Sequence, residues 1–119
     1  MAEYKPFLDV IFGSAERLMW DLSAESGEFT NYEFLRRACQ KQQGAYANFL
    51  KTVLDTRGEA FLFNIVHENI GNRLSSEAVK LGYEQDKNPP PSVQETNIWG
   101  DPSKPIVYRR TDRVRNPVG

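Results

Sequence analysis

Apolar residues recur at helical spacing through the first 86 positions and lose that rhythm afterwards. From Pro6 to Ser23, the positions Leu8, Ile11, Phe12, Ala15, Leu18, Met19 and Leu22 follow the i, i+3, i+4, i+7 pattern of one buried face. Asp9, Glu16, Arg17 and Asp21 fall mainly on the other side. The spacing predicts a first helix over 6–23, with Pro6 in its first turn, where a missing N–H costs nothing.

A second helix start is marked twice. Thr30 and Glu33 have the spacing of a capping box, and Phe29 with Phe34 has that of a hydrophobic staple. The stripe continues through Leu35, Ala38, Cys39, Tyr46, Phe49, Leu50 and Val53. Gln42 and Gly44 interrupt it, which predicts a break between two helices there. The run from Ala60 to Val66 is apolar nearly all round and predicts a central buried element, continuing as a helix to Gly71 or beyond. A short further helix is expected over 76–81, closed by Gly82 as a C-terminal cap. The expected core comprises Leu18, Trp20, Phe34, Leu35, Phe49, Val53, Leu62, Ile65 and Val66.

Pro89-Pro90-Pro91 ends the helical pattern, since consecutive prolines cannot continue a helix. Beyond it, 95–99 and 105–109 are two β-prone runs around the turn-rich segment 100–104. They are expected to pair as a hairpin, with Trp99 and Val107 or Tyr108 packed on the body, because two strands alone are marginal in water. The fold expected is therefore a mainly α, single-domain bundle of three to four helices with a C-terminal β-hairpin or extended arm. Its order of elements also fits a winged-helix template. The organisation reads as a helical domain over 1–86, a proline-rich linker over 87–97, and a hairpin and basic tail over 98–119 packed on the helices.

Composition changes this picture little, but charge does. The net charge is −1 with 26% charged residues, which argues against a surface coated in positive charge for nucleic acid. The balance is uneven: residues 1–99 hold 10 Lys/Arg against 14 Asp/Glu, and residues 100–119 hold five against two. The tail is thus a candidate for docking on something acidic, its own body included. No stretch approaches the ~18 apolar residues of a membrane span, and Met1 to Lys5 begins no basic-then-apolar leader. A cytoplasmic protein without membrane attachment is the expectation.

Candidate chemistry is sparse. His67 is the lone histidine and Cys39 the lone cysteine, too few for a usual zinc or iron site. The string from His67 to Gly71 lacks the second histidine of a metalloprotease helix. Cys39 lies on the apolar stripe, where thiols are usually inert. No glycine-rich phosphate loop occurs, so no catalytic residue, cofactor or metal is expected.

Two binding surfaces remain. Trp99, Tyr108, Arg109, Arg110 and Arg113 form a tail of residue types common at interface hot spots. They suggest a non-enzymatic adaptor or regulator that contacts a protein partner or a second copy. The alternative is a winged-helix-like DNA binder using Arg36, Arg37, Gln40, Lys41 and Lys51 opposite the apolar stripe, together with the hairpin. Against it, the small residue of a helix-turn-helix would fall on Gln40.

Overall fold

A computed structural model describes residues 2–97 and 99–117. After a single 3₁₀ turn at Ala2–Tyr4 come five α-helices: α1 (Lys5–Ile11), α2 (Ala15–Leu22), α3 (Asn31–Lys41), α4 (Gln43–Arg57) and α5 (Leu62–Lys80). Five short strands are threaded among and after them: β1 (Glu28–Thr30), β2 (Glu84–Asp86), β3 (Glu95–Thr96), β4 (Pro102–Ser103) and β5 (Val107–Arg109). The mainly α class holds, with five helices rather than three or four.

The expected first helix is two. Phe12 closes α1 with its N–H on the Leu8 carbonyl, and the Gly13 N–H turns back to Val10. The kink does not break the buried face. Leu8, Ile11, Phe12, Ala15, Leu18 and Met19 all stay buried across it, so periodicity alone concealed the break. The capping box at Thr30 forms fully, with Thr30 Oγ1 accepting from the Glu33 N–H at 3.1 Å and Glu33 Oε1 accepting from the Thr30 N–H at 2.9 Å. Phe29 and Phe34 are both buried, their rings 6.5 Å apart. The predicted break lies at Gln42, between α3 and α4.

The separate helix expected over 76–81 is the end of α5. Val66, Ile70, Leu74 and Ala78 are buried at a constant four-residue step, and that continuous face carries the helix through Gly71. Gly82 does close it: its N–H bonds Val79 O, the Tyr83 N–H bonds Ala78 O, and Gly82 takes φ +103°. Those two reversed bonds are the Schellman arrangement. The start of α5 is less buried than its apolar composition implies. Phe61 is 68% exposed, and Leu62, Phe63 and Ile65 are only half-buried. Trp20 and Leu35 also sit at the core margin.

The expected hairpin of 95–99 with 105–109 does not form. Glu95–Thr96 pairs instead with Pro102–Ser103 in a minimal ribbon, while β5 inserts antiparallel between β1 and β2. Tyr108 is opposite Phe29 on one side and Gln85 on the other. Its ring stacks on Phe29 at 5.3 Å and is wholly buried. Tail and body thus share one core, in which Tyr4 and Phe7 also pack on Phe49, and Phe12 on Phe34.

Candidate functional site

A cleft of about 390 Å³ opens between the first turns of α3, one face of α5 and the loop over 97–103. From α3 come Asn31, Tyr32 and Leu35. From α5 come Asn64, His67, Glu68 and Gly71, whose 3–4-residue steps put them on one helix face. The loop contributes Asn97, Trp99 and Ser103. Asn97 builds that loop: its Oδ1 accepts from the N–H groups of Trp99 at 2.9 Å and Asp101 at 3.1 Å, and its own N–H donates to Asp101 O. Gly100 supplies the positive φ that the turn requires. Tyr32 Oη and Ser103 Oγ, 2.5 Å apart, tie the ribbon to α3.

The result is a tryptophan held out at a turn tip. Trp99 is 69% exposed, touching Phe63 edge-to-face at 5.7 Å. With Phe63 it forms an aromatic rim, and Phe61, equally exposed, lies two residues earlier at the N-terminal end of α5. Such large aromatic groups are costly to leave in water, each worth ~1.5–3 kcal/mol when buried.

His67 lies deeper. Its Nε2 is 2.6 Å from Tyr46 Oη, and its ring stacks on Tyr46 and tilts against Phe63. Burial lowers the His67 pKa below its ordinary 6.5 and pushes the Tyr46 hydroxyl up to about 12, so near neutral pH both groups are uncharged. A histidine whose folded-state value is depressed stabilises the fold above its unfolded value of 6.5 and loses that contribution as pH falls through the folded one. Urea midpoints should therefore drop between about pH 7.5 and pH 5.5, and His67→Gln should flatten the drop. An equal slope in both proteins would mean that His67 is not the titrating group. Asp9 and Asp86, held below 3.8 by hydrogen bonds, act in a lower window.

The tail residues proposed from the sequence are scattered by the fold. Tyr108 is wholly buried. Arg109 pairs with Asp86 at 2.9 Å and approaches Glu28 at 3.9 Å. The Arg110 guanidinium lies 3.6 Å over the Trp20 ring and donates to Ser23 Oγ and to the Trp20 carbonyl. Arg113 is exposed, its backbone pressed on Gly82. Of the five, Trp99 alone lines the cleft.

The basic face also divides. Arg36 pairs with Glu95 at 3.2 Å, and Lys51, on α4, pairs with Asp55 at 2.7 Å. Arg37, Gln40 and Lys41 remain exposed on α3. Cys39 is buried, and desolvation pushes its thiol up to about 12. Among the described residues, no three metal-ligating side chains gather and no helix is long and apolar enough to cross a membrane.

Sequence reasoning missed Phe63 and Asn64 as parts of a site. The available signal was the all-round apolar run at 60–66: a helix apolar on every side, with neighbours on only some, must expose part of itself. No known protein family, curated protein or solved structure matches the chain, so the function has to be argued from this cleft and its rim.

Proposed function

We propose that the protein is a non-enzymatic interaction module that docks a protein partner on the aromatic rim of the cleft. The carrying observation is Trp99, 69% exposed on the wall of a concave polar cleft and in edge contact with Phe63, with a second exposed aromatic group, Phe61, two residues before Phe63. An anchor aromatic group next to a pocket is the usual composition of an interface hot spot. Trp99 is held by the hydrogen bonds of the Asn97 turn, so little ordering of the loop opposes binding. The groups inside the cleft favour recognition over catalysis. His67 is engaged with Tyr46 and Ser103 with Tyr32, so these side chains form no nucleophile–base pair.

The Trp99→Ala protein should fold normally, losing at most about 1 kcal/mol from the Phe63 contact, and should lose its partner. A photo-crosslinking residue at position 61 should give a discrete adduct in extracts of the source cell. The same residue at exposed Lys80 should not, and Trp99→Ala should remove the adduct. Equal labelling from positions 61 and 80, or adducts indifferent to Trp99, would refute the rim as a docking surface.

A further inference from the structure

We infer that the cleft receives an arginine side chain from the partner, its guanidinium laid on the Trp99 indole and paired with the Glu68 carboxylate. The inference rests on the docking reading above and names its chemistry. The sign of charge comes first. Glu68 is the carboxylate lining the cleft, and no lysine or arginine lines it. His67 adds no compensating positive charge near neutral pH, because burial favours its neutral form. A cation entering the cleft meets attraction, whereas a phosphate or carboxylate meets repulsion.

Geometry selects arginine among cations. Tryptophan is the best aromatic face for a cation, and the planar guanidinium stacks where an ammonium only approaches. Asn64 and Glu68, one helical turn apart on α5, are both exposed and both line the cleft, offering a carboxamide and a carboxylate from one helix face. That suits a fork of several N–H donors better than a point charge. At about 390 Å³ the cleft has room for one long side chain and its flanking backbone. The chain already uses the same chemistry internally, where Arg110 stacks on Trp20 and donates to neighbouring oxygens.

The test is an NMR titration of the full chain with a nine-residue glycine–serine peptide carrying arginine at its centre. Matched peptides carry lysine, leucine or glutamate there. The arginine peptide is expected to move the Trp99 indole N–H and the Asn64 and Glu68 amides saturably, with lysine weaker and the other two silent. Glu68→Gln should weaken binding about fivefold and Trp99→Ala about tenfold, both proteins remaining folded by their spectra. If leucine moves the same signals as strongly, the rim is a docking surface but the arginine assignment is wrong. Arginine shifts spread over the acidic surface and unchanged by Glu68→Gln would also overturn it. So would silence from all four peptides at millimolar concentration, and the crosslink from position 61 would still decide the docking reading by itself.

Discussion

Replacing Tyr108 with alanine is expected to remove about 3–5 kcal/mol of folding stability, the range for deleting a fully buried aromatic side chain. The ring is wholly buried, stacks on Phe29 and belongs to the strand between β1 and β2, so its loss opens a void that both neighbours line. Its hydroxyl also accepts from the Gln85 carboxamide at 3.1 Å, a group that bonds Ser75 Oγ as well. Tyr108→Phe should therefore cost only about 1 kcal/mol, a single hydrogen bond. Small domains have about 5–15 kcal/mol in total, so Tyr108→Ala should leave a protein near its midpoint in mild urea. Far-ultraviolet circular dichroism across a urea series reads both variants. A Tyr108→Ala midpoint close to that of Tyr108→Phe would mean that β5 is not central. The result bears on function too: partner binding lost in Tyr108→Ala would report unfolding, whereas loss in Trp99→Ala would report contact.

Gly82→Ala should be strongly damaging for a change of one methyl group, at about 2–4 kcal/mol from a positive φ and a clash together. At φ +103° a side chain is strained whatever the space around it. Here space is lacking as well: an added Cβ would be 2.8 Å from Arg113 Cβ, 3.0 Å from its carbonyl carbon and 3.1 Å from the Val114 nitrogen. Most of those atoms are backbone, so relief requires the tail to lift from α5. Thr111, whose hydroxyl donates to the Gly82 carbonyl, would be pulled with it. Hydrogen exchange should show increased opening at 109–114 in this variant, and Gly44→Ala, with nothing near its Cβ, is the neutral comparison. Similar exchange in the two proteins would show that the Gly82–Arg113 packing does not hold the tail.

What was readable in advance follows from how local each determinant is. The Thr30–Glu33 box, the Gln42 break and the Gly82 cap are decided within a few residues, and all three stand as the sequence indicates. The strand pairing is not local. Runs 95–99 and 105–109 are both β-prone, yet β5 reaches partners at 28–30 and 84–86, where Tyr108 stacks on Phe29 and Arg109 pairs with Asp86. The sequence offers Arg109 and Arg110 as partner-binding groups, because one sequence cannot reveal Asp86 or Trp20 across from them. The cleft was hidden for the same reason, since its walls come from three separated segments. Of its lining residues, Trp99 and His67 stand out in the sequence.

The insertion of β5 between two earlier strands has a consequence for how the chain reaches its native state. β5 leaves the ribosome after every helix has emerged, and Arg110 must then find Trp20, 90 positions earlier. Until it does, β1 and β2 present unsatisfied edges flanking an open aromatic pocket around Phe29 and Tyr83. Helices form early from local contacts, whereas closure over so long a loop is slow. A chain whose helices formed first would leave those edges and that pocket open to aggregation until one three-residue segment arrived.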